Sequence, residues 1–381
     1  MDLPVQPAFP IGMARSAWDS FNMSDPGRRV TVVVNDATRP AVARSLLEPV
    51  ADLLEGRVRI IVATGTHEDV SEPVKGLLLG GLFRGAGWTC NNRGGGERVR
   101  LGRTSRGTET LVHPWLAEAD TVIIAGSVEP HYFAGFTGGR KAVLPGCAAF
   151  ESIEANHSLA CLDGSAPAVL EGNPVHMDMV EAAGMLEGLV PVVMAGAVVS
   201  GSLGVHVAVG SLEDAFASCV ASARRHLCVE MEHPAGRLVL KPGGGLETNL
   251  YQAMKAVYNF EAAVEEGGAV LLDSDCRGGL GAAHMEDVLK ASIGPDAIGR
   301  AGGRYFLGWH SVSRLERIRR RASLALRSVL DPTLVRSLGF EPVRDAAEWA
   351  GGSAVVISDA GSRAPVLTGG GGADRTDGVG A

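Results

Sequence analysis

Six short, β-branched apolar runs each stop at a cluster of small and polar residues, and this alternation restricts the fold more than any other feature. Residues 29–34 lead into Asn35-Asp36-Ala37-Thr38-Arg39-Pro40, residues 59–63 into Thr64-Gly65-Thr66-His67, and residues 121–125 into Gly126-Ser127-Val128-Glu129-Pro130-His131. Residues 237–240 precede Lys241-Pro242-Gly243-Gly244-Gly245, residues 269–272 precede Asp273, and residues 354–357 precede Ser358-Asp359. Continuous apolar strands belong to sheets covered on both faces, usually parallel ones. Helical periodicity alternates with them. After Pro40, a good first helical residue, Leu46, Leu47, Val50, Leu53 and Leu54 fall on one face. Asn173-Pro174 opens a helix expected to run through Met185, and Asn249 can cap one that buries Leu250, Met254, Val257 and Tyr258. The expected fold is α/β: two α/β domains with mostly parallel sheets and the active site in the interdomain cleft, since such folds place ligands just past strand ends. The expected division is an N-terminal domain over 1–228, a C-terminal domain over 236–368 and a frayed tail over 369–381.

Length supports two domains, because 381 residues with 46% hydrophobic content can fill two cores. The 35 basic against 43 acidic side chains give a net charge of −8, which argues against nucleic acid as a partner. The 51 glycines follow no collagen period and read as tight turns and close backbone approaches. Cys90, Cys147, Cys161, Cys219, Cys228 and Cys276 form no C-x-x-C pair, which argues against a zinc site or a disulfide framework and fits a reducing compartment. No secretory signal opens the chain, and no apolar run approaches the roughly 18–20 residues of a membrane helix. A cytoplasmic protein is expected, without membrane contact.

The densest chemical signal is the loop Glu129-Pro130-His131-Tyr132-Phe133-Ala134-Gly135-Phe136-Thr137-Gly138-Gly139-Arg140-Lys141. It is not a phosphate-binding P-loop, because the Gly just before the Lys and the Ser/Thr just after it are missing. Two readings stay open: a glycine turn with a surface lysine, or a backbone that approaches an anionic cofactor beside a Lys acting as charge or nucleophile. His67 and His131 stand just past strand ends, and His157 sits in a helix with Ile153. Their spacing makes no all-protein metal site, although one protein ligand plus an organic chelator would hold a metal. Arg39 and Lys255, the latter three residues after Gln252 on one helix face, are placed like anion clamps; a solvated polar face is the alternative. The arginines 314, 317, 319, 320 and 321 read as a solvated helix face or a packing contact.

Taken in order, Asp36-x-Thr38-Arg39-Pro40, Gly65-Thr66-His67, Pro130-His131-x-Phe133-x-Gly135-Phe136-x-Gly138-Gly139-Arg140-Lys141, Asn156-His157, Gly172-Asn173-Pro174-Val175-His176 and Tyr251-Gln252-x-x-Lys255 resemble the nickel-dependent lactate racemase family from about residue 30 to about residue 285. The resemblance implies a nickel pincer nucleotide, a pyridinium-3,5-bisthiocarboxylic acid mononucleotide carrying nickel, linked to Lys141. It implies that Gly138, Gly139 and Arg140 belong to the cofactor loop and that His157 ligates the nickel. His67 and His131 match the two acid/base histidines, and Arg39, Gln252 and Lys255 match the groups holding the substrate carboxylate and hydroxyl, with Asp36 orienting one of these side chains. The implied reaction is racemisation or epimerisation of a small 2-hydroxy acid by proton-coupled hydride transfer through a 2-keto acid. Cofactor biosynthesis enzymes would be its partners.

The chain departs from the family pattern at Ala37, where His is common, at Glu68-Asp69, where an Arg is common, and from Asn91-Asn92 to Arg106. These leave the catalytic set intact but open the substrate to larger 2-hydroxy acids. Beyond residue 285 only Trp309 stands out, as a pocket wall or a core aromatic. An oxidoreductase with net hydride transfer would need one base, and a cofactor-storing relative would need no carboxylate clamp, so both fit the residues less well.

Overall fold

The structure, a computed structural model, describes residues 6–21, 23, 25–91, 96–281, 285–291 and 307–369. Asn92 and nearly all of the expected tail lie outside these residues.

The N-terminal part carries β1 (Val30–Asn35), β2 (Val58–Ala63), β3 (Gly87–Cys90), β4 (Val99–Arg103), β5 (Glu109–Val112), β6 (Thr121–Ser127), β7 (Pro130–His131), β8 (Gly135–Phe136), β9 (Val192–Ser200) and β10 (Leu203–Ser211). Six of them form one sheet in the order β10-β9-β6-β1-β2-β3. It is parallel except for β10, which returns antiparallel to β9. Both faces are buried, as the continuous apolar runs require. Val32, Val34, Ile60, Val62 and Ile123 pack into one core, while Val33, Ile61, Val122 and Ile124 pack into another on the opposite face.

The C-terminal part adds β11 (Cys228–Met231), β12 (Ala235–Leu240), β13 (Val264–Asp273), β14 (Ala322–Arg327), β15 (Glu341–Val343), β16 (Val355–Ile357) and β17 (Ala364–Leu367). Five make an all-parallel sheet in the order β15-β14-β13-β12-β16, while β11 pairs with β17. The expected boundary near 228–236 falls where β11 ends and β12 begins. The last described strand, β17, leaves the second sheet to lie beside β11. One hydrophobic cluster runs across the boundary, joining Tyr132 and Phe133 to Leu250, Met254 and Tyr258.

Three sequence expectations change. The helix expected after Pro40 is broken into Ala43–Leu47, a 3₁₀ turn Glu48–Val50 and Ala51–Leu54, because Pro49 supplies no N–H to the helical ladder; Leu53 is exposed. Helix Pro174–Glu187 runs slightly beyond the expected end. Helix Leu250–Asn259 is buried nearly all round rather than on one face. No helix among the described residues is long and apolar enough to cross a membrane.

Strand order fixes where ligands can enter. In the first sheet the chain moves from β1 to β2 and β3 on one side, then returns to β6 on the other. The loops after β1 and β6 therefore flank a topological switch point. In the second sheet the loops after β12 and β16 do the same. Crevices outside the carboxyl ends of strands at such points are the usual ligand sites of open α/β sheets.

Candidate active site

The loop after β1 is an Asx turn: Asp36 Oδ1 accepts from the Thr38 N–H at 3.1 Å and from its hydroxyl at 2.7 Å. The other oxygen, Oδ2, lies 2.5 Å from Nδ1 of His67, just past β2. Asp36 is 6% exposed. Burial alone would raise its pKa, but His67, Thr38 and the charge of Lys255 hold the carboxyl well below its usual range. Burial lowers the pKa of His67, and the adjacent Asp36 offsets part of that effect. With Nδ1 committed to Asp36, the Nε2 face of His67 is left for proton exchange.

His131 lies in the short ribbon of β7 and β8, whose loop is pinned from outside. Asn173 caps helix Pro174–Glu187 with its Oδ1, accepting from the N–H groups of Val175 and His176 at 3.1 Å. Its Nδ2 meanwhile donates to the Phe133 carbonyl at 2.9 Å. The His131 ring stacks on Tyr132 at 4.8 Å and meets the edge of Phe133 at 4.5 Å. Phe133 in turn contacts the ring of His157 at 4.9 Å. Burial, followed by the charges of Lys141, Arg39 and Lys255, pushes the His131 pKa well below the usual histidine range.

His157 stands in helix Phe150–Ser158 with Nδ1 facing Asn156 Oδ1 at 3.2 Å. Asn156 is itself held, since its Nδ2 donates to Asp178 at 2.8 Å. This fixes the ring and leaves Nε2 as a donor to a metal. Burial, with nearby positive charge, keeps the imidazole neutral, the form that binds metals. Among the described residues no group of three or more His, Cys, Asp or Glu gathers to hold a metal. One imidazole therefore fits a metal whose other donors come from an organic chelate. Lys141 fits covalent attachment: burial and then the charges of Arg39 and Arg140 lower its amine to about 7, so much of it is the nucleophilic free base near neutrality.

The rest of the loop serves itself. Arg140 is 2% exposed and donates to the carbonyls of Ala134, Phe136, Thr137 and Gly138 and to His176 Nδ1. Its guanidinium also lies 4.2 Å over the Phe216 ring. A Cβ on Gly138 would stand 2.8 Å from the Ser127 carbonyl, and one on Gly139 would stand 3.1 Å from Phe216. Both glycines have positive φ. They let the loop pack on the protein itself, and Arg140 gathers its carbonyls.

From the second sheet, Asn249 caps helix Leu250–Asn259, and Lys255 Nζ donates to Gln252 Oε1 at 2.6 Å. Both are buried, at 7% and 6% exposure, so they are no solvated face. Burial and then Arg39 lower the Lys255 pKa well below the usual lysine value, with Asp36 and Glu129 offsetting part of it. The basic side chains Arg39, Lys141 and Lys255 thus share one largely covered region with Asp36, His67 and His131. The two switch points meet there: a Cβ on Gly245 would lie 3.0 Å from the Ala37 carbonyl.

Two residues of this region escaped the sequence reading as site residues. Glu129, 2% exposed, pairs with Arg39 at 2.8 Å. His310, beside the buried Trp309 at the start of helix Trp309–Arg321, meets the Tyr132 hydroxyl at 3.2 Å and the edge of His157 at 5.7 Å. Glu129 stood in the quoted loop, next to Pro-His, but its partner lies 90 residues away. The arginine run makes packing contacts: Arg314 and Arg317 pair with Glu261, and Arg319 donates to backbone carbonyls of Leu289 and Leu338.

Chemically, two imidazoles beside a guanidinium and buried amines can move a proton to and from an anionic substrate.

Known proteins resemble the chain in sequence and in fold. The family model for the lactate racemase N-terminal domain matches residues 16–168. A lactate racemase of Thermoanaerobacterium thermosaccharolyticum is 27% identical over 299 residues, which is 76% of this chain and 68% of that protein. A lactate racemase of Lactiplantibacillus plantarum is 28% identical over 271 residues, or 66% of this chain, and the match spans only 61% of that relative's length. The lactate racemase apoprotein structure from T. thermosaccharolyticum superposes with a TM-score of 0.83 at 24% identity, covering 93% of this chain and 92% of that one. A Thermotoga maritima protein shares the fold with a TM-score of 0.75 at 15% identity, covering 93% and 96%. The N-terminal part of the chain thus matches the lactate racemase N-terminal domain, and the chain as a whole is similar in sequence to lactate racemases and shares the fold of a lactate racemase apoprotein.

Proposed function

We propose that this chain is an isomerase that racemises or epimerises a small 2-hydroxy acid, lactate or a larger relative, with a nickel pincer nucleotide linked to Lys141 and ligated by His157. One observation carries the reading: His67 with its Asp36 partner, His131, Arg39, Lys141 and Lys255 are drawn together from loops far apart in sequence into one buried region. When bound, the cofactor supplies a reversible acceptor for the substrate's α-hydrogen and its electron pair.

The protein's own residues do the rest. Arg39 and Lys255 hold the carboxylate, and Gln252, fixed by Lys255, faces the substrate's polar groups. One histidine takes the hydroxyl proton as the α-carbon becomes a keto carbon. After the keto acid presents its other face, the second histidine returns a proton. Asp36 keeps the His67 tautomer and stabilises its protonated form. Residues 1–228 contribute cofactor loop and bases, residues 236–368 contribute Gln252 and Lys255, and the cleft between them excludes water. The cytoplasm, where thiols stay reduced and cofactor biosynthesis enzymes act, is the proposed compartment.

The test is nickel stoichiometry and intact mass on protein co-produced with a nickel-pincer biosynthesis system, together with enantiomer assays. Nickel near one per chain, lost in His157→Ala, and a mass adduct lost in Lys141→Ala support the cofactor assignment. His67→Ala and His131→Ala should each abolish racemisation. No nickel, from a system that loads a known racemase, sinks the enzyme assignment.

A further inference from the structure

Arg39, proposed to grip the substrate carboxylate, is 11% exposed in its side chain and spends only Nη1 on the protein, donating to Glu129 Oε2 at 2.8 Å. Among the described residues its Nε and Nη2 have no hydrogen-bond partner. A half-buried guanidinium fork with donors left over matches the geometry of a carboxylate. Glu129 is held as firmly as a side chain can be. Its Oε1 accepts from the Ser127 hydroxyl at 2.6 Å, its N–H donates to Thr137 Oγ1 at 2.9 Å, and its carbonyl accepts from the Thr137 N–H at 2.8 Å. Ser127 ends β6, next to β1 from which Arg39 follows. Arg39 and Glu129 together line a small cavity with Thr38, Gly243, Gly245 and Asp359, at the junction of the two switch points.

We propose that Glu129 is the positioning residue of the carboxylate clamp: anchored by Ser127, it takes one nitrogen of Arg39 and presents the remaining donors to the substrate carboxylate. This rests on the proposed 2-hydroxy acid reaction, so the parent enzyme must first show it when loaded with cofactor; if it does not, that reading fails and Glu129 is not at issue. In an active parent, Glu129→Gln keeps the shape but removes the charge that orients Arg39. KM for the 2-hydroxy acid rises 10-fold or more, while kcat changes less than 3-fold. Ser127→Ala, a milder change that leaves the fold's charges in place, raises KM in the same direction by a smaller factor. In an Arg39→Ala background Glu129→Gln adds nothing further, because Glu129 acts through Arg39. Added guanidinium restores part of the Arg39→Ala activity only while Glu129 is present to seat it. Unchanged KM in Glu129→Gln, a loss confined to kcat, full additivity with Arg39→Ala, or guanidinium rescue that survives Glu129→Gln overturns the proposal.

Discussion

Lys141, the proposed point of cofactor attachment, is an amine placed where a charge is costly. Burial and the neighbouring Arg39 and Arg140 bring its pKa from 10.5 to about 7. The unfolded chain therefore holds this proton throughout the interval between about 7 and 10.5, while the folded chain has lost it, so folding is opposed there and stability rises with pH. At about 1.4 kcal/mol per pH unit, the cost is about 4 kcal/mol at pH 7 and about 2 kcal/mol at pH 9. Lys141→Met, which keeps the length without the charge, should remove it. In urea unfolding of the cofactor-free proteins, the variant should be more stable at pH 7 by up to about 4 kcal/mol, with the gap about halved at pH 9. A variant no more stable than the parent at pH 7, or a gap that does not narrow with pH, would refute the idea that the fold strains this amine toward its free base. The exchange of stability for reactivity at such a site is a recurrent one.

Asp36→Asn takes away the anion that supports protonated His67; kcat/KM should fall 10-fold or more, with the acid limb of its pH profile moved to lower pH, as read by enantiomer assays across pH. Arg140→Lys leaves several loop carbonyls without a donor, and at about 1–3 kcal/mol for each unsatisfied buried group a loss of about 3 kcal/mol or more should appear in chemical denaturation. His131 is held below the usual histidine pKa of 6.5, so the unfolded chain gains a proton that the folded chain does not. Stability should fall below about pH 6.5 with a slope of up to about 1.4 kcal/mol per pH unit, and His131→Phe should flatten that slope in the cofactor-free protein.

Much of this protein was legible in the sequence by itself. Apolar runs ending in polar clusters located six strands, among them β1, β2, β6 and β12 whose loops reach the site, because strands buried on both faces leave no room for alternation. Asn173-Pro174 and Asn249 marked two helix starts, since their side chains satisfy N–H groups the helix cannot. The ordered motifs singled out His67, His131, Lys141 and His157, side chains that the fold brings into one neighbourhood. Local reasoning failed where the deciding partner was distant. It extended a helix through Pro49, and it could not tell whether Gln252 and Lys255 faced water. Nor could it foresee that Gly138, Gly139 and Arg140, expected in the cofactor loop, pack against Ser127, Phe216 and the loop's own carbonyls. It passed over Glu129 because an ion pair with Arg39 exists only once β6 lies against β1. Residue type and spacing determine what a side chain can do. Burial and the company of other charges, which decide its protonation and its partner, are properties of the packed sheets alone.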